Sequence, residues 1–247
     1  MIKNKSFLRR DSIIANMGRI STGSSIIDEL IKGYETDVIT TFYGPSGSGK
    51  TNICLISAIH IAKNKKKVMY IDTEGGFSIE RLKQLTPDYE NLLKSIFIFK
   101  PTSFSQQARA IEKLKKIAKD DVGIIIIDTI SFLYRLELGD KDVHNTNRAL
   151  GGQIATLAEI ARKKHIPIVI TNQVYSDFDN RDKIRIVGGD LLKYGSKCLI
   201  ELQKTPDNKR RAIVKKHRSM AEEKSVVFEI TEQGLKKAKQ GKGFKIF

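Results

Sequence analysis

Gly44-Pro45-Ser46-Gly47-Ser48-Gly49-Lys50-Thr51 is a complete G-x-x-x-x-G-K-[ST] element, and the apolar run Val38-Ile39-Thr40-Thr41-Phe42-Tyr43 before it reads as the strand that feeds it. The glycines let the backbone fold into a nest of inward-pointing N–H groups. A helix starting near Lys50 adds its positive dipole end to the same anion. The stretch therefore predicts a nucleoside-triphosphate site in which Lys50 reaches the β/γ-phosphates and Thr51 offers its hydroxyl to Mg²⁺.

Working outward, strand and helix signals alternate. A helix over about Lys50 to Lys63 is followed by strand Val68 to Asp72, a short helix around Ile79 to Leu85, and strand Ile96 to Phe99. Phe104, Ala108, Ile111, Leu114 and Ile117 recur at helical spacing and mark an amphipathic helix packed on the sheet. Gly123 to Asp128 is apolar at four consecutive positions, as a central strand buried on both faces requires. Leu150 to Ala161 marks a helix closing before Pro167, and Ile168 to Thr171 is the next strand. Beyond it, short runs at Cys198 to Leu202, Arg211 to Val214 and Val226 to Ile230 read as antiparallel strands, with a turn at Pro206-Asp207-Asn208. The expected fold is α/β: a mostly parallel central sheet flanked by helices, ending in antiparallel strands.

The 247 residues, about 40% hydrophobic, suffice for one sizeable core. No apolar run approaches a membrane span and no secretory pattern opens the chain, so an intracellular, cytoplasmic protein with no membrane partner is expected. Cys54 and Cys198 lack metal-ligand spacing and read as core thiols. The net charge is +16, and residues 181–247 carry 18 Lys/Arg against 8 Asp/Glu. Such a surplus either attracts a polyanion, DNA or RNA first among them, or reflects lysine used as a general solubilising residue.

Asp128 closes the most hydrophobic strand, where a P-loop enzyme places the carboxylate of its Mg²⁺ shell; the alternative is a cap on the next segment. Glu74 follows the second strand and emerges at the edge that carries the phosphate loop, in position to orient or deprotonate an attacking water. Gln173 ends a later strand, where an amide can hydrogen-bond a γ-phosphate. On residue type alone, either could be an ordinary polar strand terminus.

The phosphate loop, Tyr70-Ile71-Asp72-Thr73-Glu74-Gly75, Ile126-Ile127-Asp128-Thr129 with Leu133-Tyr134-Arg135, and Val169-Ile170-Thr171-Asn172-Gln173 resemble, in order and spacing, the ATPase core of RecA-type recombinases of the archaeal and eukaryotic branch. The resemblance runs from about Ser21 to about Ile230. It implies a RecA-type P-loop ATPase core over residues 21–247, with residues 1–20 as an N-terminal segment that could serve as a docking arm. It implies Glu74 as catalytic glutamate, acting with Lys50, and Gln173 as γ-phosphate sensor. Two DNA-facing loops are implied, at about Arg135 to Arg148 and about Val174 to Gly189. The second offers Tyr175, Phe178, Arg181, Lys183 and Arg185, cations interleaved with aromatics. Lys216 and Arg218 look like a Lys-x-Arg element that related oligomeric ATPases insert into a neighbour's nucleotide site. In that case the two would share one face of a strand end. Exposed cations touching a phosphate backbone, or nothing, are the alternative.

Departures from the family pattern set the remaining expectations. About 37 residues precede the first core strand, too few for the family's helix-hairpin-helix domain. Phe7-Leu8-Arg9-Arg10 puts an arginine where the Phe-x-x-Ala docking tetrapeptide needs a small residue, leaving Phe7, Ile13 and Ile14 as a substitute anchor. Tyr34 replaces the second glycine of the usual Gly-Gly pair. These losses are similar to a short paralogous branch of the family, which implies ATP and DNA binding, weak ATP hydrolysis and help to recombination and repair without strand exchange. Single-stranded or branched DNA, the main recombinase or a Holliday-junction nuclease, and further copies in an oligomer are the partners implied. The competing readings are a filament-forming strand-exchange enzyme and a KaiC-like regulatory oligomer with no DNA role.

Overall fold

A computed structural model describes residues 18–138, 143–176 and 184–238, with the side chains of residues 175, 176 and 184–186 excepted. Phe7, Ile13, Ile14, Phe178, Arg181 and Lys183 fall outside the described residues, as do the side chains of Tyr175 and Arg185.

In chain order the elements are β1 (Arg19–Ile20), α1 (Ser25–Ile31), β2 (Tyr34–Glu35), β3 (Ile39–Gly44), α2 (Lys50–Lys63), β4 (Lys67–Asp72), α3 (Ile79–Leu85), α4 (Tyr89–Leu93), β5 (Ile96–Phe99), α5 (Phe104–Ile117), β6 (Val122–Asp128), α6 (Phe132–Leu138), α7 (Val143–Lys164), β7 (Ile168–Ser176), β8 (Ile184–Ile186), α8 (Gly189–Gly195), β9 (Cys198–Lys204), β10 (Arg210–His217), β11 (Ser225–Thr231) and β12 (Gly234–Lys237). The main sheet runs β12-β11-β10-β9-β3-β7-β6-β4-β5, with β8 on β7. The block from β9 to β5 pairs in parallel. Strands β9 to β12 continue it antiparallel. A mostly parallel sheet ending in antiparallel strands is the expected architecture.

Alternation along each strand divides the core. Phe42, Ile124, Ile126 and Ile200 face one layer, with α1 and α2 against them. Ile39, Ile125, Ile127 and Leu199 face the other, under α5, α6 and α7. All four isoleucines of β6 are fully buried, which explains the uninterrupted apolar run. Helix starts follow local chemistry: Ser78 and Ser103 accept from Arg81 N and Gln106 N, freeing neither helix to extend backwards.

The structure differs from the sequence reading in several places. Strand β7 extends to Ser176 and pairs antiparallel with β8, so the segment expected as the second DNA-facing loop is partly strand. Residues expected as the first DNA-facing loop are largely helical: Arg135 lies on α6 and Arg148 on α7, whose helix begins at Val143 rather than near Leu150. Tyr34 in β2 is buried, packs edge-on against Phe42 at 6.3 Å, and shares a 2.9 Å hydrogen bond with Ser57. The larger side chain is thus core, while Gly33 beside it keeps the positive φ, because a Cβ there would meet Ile20 O at 2.4 Å.

Candidate nucleotide-binding active site

Parallel strands deliver their C-terminal ends to one edge of a sheet. In register, Gly44 lies beside Gln173 and Asp72 beside Asp128, so the phosphate loop, both carboxylate-bearing turns and the amide meet at that edge. Gly44, Gly47 and Gly49 adopt φ values of 159°, 71° and 103°, and Gly49 opens α2. Pro45, Ser46 and Ser48 complete the loop, whose Ser48 N–H donates to Pro45 O at 3.2 Å. At Gly44 a Cβ would collide with Leu202 O at 2.2 Å, so β9 presses directly on the loop.

Lys50 is 8% exposed and donates to Gly44 O and Pro45 O, both at 2.9 Å. Burial lowers its pKa, against the pull of Glu74 and Asp128, which favour the ammonium. Asp128 is buried at the end of β6, where the Tyr70 hydroxyl donates to Oδ2 at 2.8 Å and the Thr171 hydroxyl to Oδ1. Two fixed donors, one on each oxygen, set the carboxylate plane. A Cβ on Gly76 would stand 3.6 Å from Thr51 Oγ1 and 4.0 Å from Asp128 Oδ2, so the glycine preserves a space shared by those two oxygens. The Ser48 hydroxyl is buried without a hydrogen-bond partner among the described residues. Hard oxygen donors around a glycine-kept space suit Mg²⁺, and the cationic nest suits phosphate.

Glu74 is exposed on the turn after β4, and that turn is built by Asp72, whose carboxylate accepts from Gly76 N at 3.0 Å and Phe77 N at 3.1 Å. Partial burial and the neighbouring Asp128 raise the Glu74 pKa; Lys50 and Gln173 act in the opposite sense. Gln173 Nε2 donates to both Glu74 oxygens at 2.9 Å, and the Thr129 hydroxyl also donates to Oε1. Arg135 Nη1 donates to Gln173 Oε1 at 3.2 Å. Glu74, Gln173, Lys50, Thr51 and Asp128 are therefore brought together, and Arg135 joins them. Arg148 does not; it sits exposed on α7 with its guanidinium 3.4 Å from His144 Nε2.

Lys216 and Arg218 take separate partners. A bulge between Val214 and Lys216 breaks the alternation of β10. Lys216 Nζ donates to Lys193 O at 2.6 Å and Ser196 O at 3.0 Å, around the end of α8. Arg218 grips both oxygens of Asp37, at 2.9 and 2.7 Å, and its Nε lies 2.8 Å from Glu35 Oε2.

Sequence reasoning missed Tyr70, Thr171 and Asp72, whose roles depend on which strand lies next door. It also missed Lys204 and Arg210. Arg210 Nε donates to Gly47 O at 2.8 Å, and the Lys204 ammonium occupies the space 3.3 Å from where a Gly47 Cβ would be. Their place in the basic C-terminal quarter was the only available signal.

Residues 9–238 match the Rad51 family. A protein of Methanobrevibacter smithii named DNA repair and recombination protein RadB is 42% identical over 88% of this chain and 95% of its own length. A Methanococcus maripaludis protein of the same name is 46% identical over 85% of this chain and 96% of its own. A solved structure titled crystal structure of the RadB recombinase superposes with a TM-score of 0.76 at 33% identity, covering 89% of this chain and 99% of that one. Matches of that length, laid over a site whose loop, carboxylates and Gln173 amide share one sheet edge, place the chain in the Rad51 family, among its RadB members.

Proposed function

We propose that this chain binds and slowly hydrolyses ATP, binds DNA, and assists homologous recombination and DNA repair without itself performing strand exchange. The observation that carries the reading is the convergence of Lys50, Thr51, Asp128 and Glu74 on one sheet edge beside a glycine-kept space. In this reading the loop N–H groups and Lys50 hold the β/γ-phosphates, and Lys50 exchanges its two carbonyl partners for phosphate oxygens. Thr51 and Asp128 would hold Mg²⁺, which neutralises phosphate charge. Glu74 accepts the proton of the attacking water, a role its raised pKa suits, and Gln173 senses the γ-phosphate. Support for DNA comes from the name shared by the relatives and from the +16 charge. Arg135 and Arg148 stand on the helices flanking residues 139–142. With the β7–β8 arm, which includes Tyr175, Arg185 and the segment between them, they are the proposed contacts.

Single-turnover hydrolysis of ATP, together with gel-shift titrations of single-stranded, duplex and branched DNA with and without nucleotide, tests the reading. Binding of DNA with slow turnover and no strand exchange is expected. Regular filaments that exchange strands would replace it with the recombinase reading, and nucleotide turnover without any DNA affinity would replace it with the regulatory one. The main recombinase or a Holliday-junction nuclease is the proposed protein partner, in the cytoplasm.

A further inference from the structure

The edge of the sheet opposite the phosphate loop gathers cations that the nucleotide site does not use. Parallel pairing brings the turns that leave α2, α5 and α7 to the amino ends of β4, β6 and β7, and these strands are neighbours. The turns touch. Lys67 N donates to Asp121 O at 2.8 Å, Ile125 N donates to Pro167 O at 3.1 Å, and Lys115 Nζ lies 3.2 Å from Glu159, tying α5 to α7. Gly123 lets the first turn lie close on β6: a Cβ there would stand 2.8 Å from the Cβ of Lys66, whose ammonium donates to Asp120 O at 2.8 Å.

Each turn, with the helix end that enters it, exposes a pair of cations: Lys65 and Lys66, Lys116 and Lys119, Arg162 and Lys164. The carboxylates nearby are taken up elsewhere, Asp121 by Lys67, Glu112 by Lys115, and Glu159 by Lys115 and Lys163. Among the described residues none of the six cations forms an ion pair. A helix dipole draws cations to its C-terminal turn, which accounts for Lys116, Arg162 and Lys164. It does not account for Lys65, Lys66 and Lys119, which lie past the helix ends. Lys65 moreover holds a φ of 58°, a left-handed position that glycine fills without strain. Lysine used only as a solubilising residue has no need of such a place.

We infer that this amino edge is a second surface for the phosphate backbone of DNA. Strands about 4.8 Å apart spread the three turns over roughly 10 Å, which matches about three phosphates of one duplex strand at about 3.4 Å each. The turns expose no large apolar side chain of the kind that a membrane-surface segment inserts into lipid. Strand β6 is seven residues long, so the edge lies roughly 20 Å from the phosphate loop. The inference goes beyond the proposed function, whose DNA contacts lie at the opposite edge: one molecule would hold two DNA segments at once.

Duplex titrations over a salt series test this in the full chain carrying Lys65→Gln, Lys119→Gln and Lys164→Gln together, and in the chain with Glu at the same three positions. The substitutions take one exposed cation from each turn and none from the nucleotide machinery. The neutral set should reduce the slope of log affinity against log salt by about 2 to 3, at about 0.9 per lost contact, with parental ATP affinity; the acidic set should weaken binding further. A chain with Arg181, Lys183 and Arg185 reversed should keep a duplex affinity that the three edge substitutions then remove. Parental affinity and slope in both edge variants would overturn the inference and leave the contacts of the β7–β8 arm standing. So would an arm-reversed chain with no duplex binding left. A parent that binds no duplex would remove both surfaces. Binding of phosphatidylserine vesicles that the edge substitutions abolish, with the DNA slope unchanged, would overturn it in favour of a lipid surface.

Discussion

The two ends of the central sheet both gather charge, and they do so in opposite ways. At the carboxyl edge of the parallel block, Lys50 and Asp128 are 8% and 5% exposed, and Glu74 lies beside them. Along the antiparallel end, cations are more numerous, yet many are matched within the chain: Arg218 by Asp37 and Glu35, Lys215 by Glu223, Lys237 by Glu29. Charge that is buried and aimed at a shared space marks a site, whereas exposed charge answered by a neighbour marks a solvated face. Net charge pointed to a place for polyanions or to a solubilised face, and it carried no signal for the buried groups at the carboxyl edge.

The sharpest way to break this contrast is to remove one buried cation. Lys50→Ala should weaken ATP binding by at least about 100-fold in calorimetry, since it deletes charge-assisted contacts worth about 1.5 to 3 kcal/mol each. Unchanged affinity would mean that the glycine nest alone carries the phosphates. Next in size, Glu74→Gln should keep ATP affinity and lower hydrolysis by about 10²- to 10⁴-fold. The sign of the pH dependence follows from the raised pKa: only the ionised carboxylate accepts a proton, so the parent's turnover falls as pH drops through a value above the ordinary carboxylate range. The Gln variant should show no such limb, and one that retains it would assign the titration elsewhere.

Across the basic C-terminal quarter of the sequence the effects should be smaller and salt-dependent. Reversing Arg181, Lys183 and Arg185 together should reduce the slope of log affinity against log salt by about 2 to 3, at about 0.7 to 0.9 per lost phosphate contact, with ATP affinity unchanged. A parental slope would move the DNA face to other cations, Lys236 and Lys237 first. The smallest change is expected at Asp37→Asn, about 1 kcal/mol in denaturant unfolding, because its pair is only partly buried. Burial pushes the Asp37 pKa up, but the Arg218 hydrogen bond and charge outweigh it and hold the group below its ordinary value. The contribution is therefore present above the unfolded carboxylate pKa and lost as pH falls through the folded one. Equal stability of parent and variant at neutral pH would show that Glu35 alone retains Arg218.

Much of the molecule was readable from residue order. The phosphate loop was legible because its chemistry is local backbone chemistry: glycines that accept positive φ, a strand before them, a helix after. The buried centre of the sheet was legible because β6 is apolar at every position between Gly123 and Asp128. Strand ends were less so; β7 runs to Ser176 because β8 supplies a partner for residues whose own pattern does not call for a strand. The start of α7 at Val143 was missed because its first turns are polar and exposed, with no buried stripe until Thr146 and Leu150.

The sequence by itself determined the fold class, the nucleotide loop, Asp128 as the last residue of β6 and Glu74 just beyond β4, since each depends on periodicity or on neighbours within a few positions, whereas Gln173, expected as a strand end, lies inside β7. Only the tertiary structure decided how those groups are held: Tyr70 and Thr171 on Asp128, Asp72 under the Glu74 turn, and Arg135 on Gln173. It also decided that Tyr34 is core and that Arg218 is gripped by Asp37. Such contacts join residues distant in sequence through strand adjacency. Side-chain hydrogen bonds have a reach of about 3 Å, so which donor meets which acceptor follows from register and packing rather than from order along the chain.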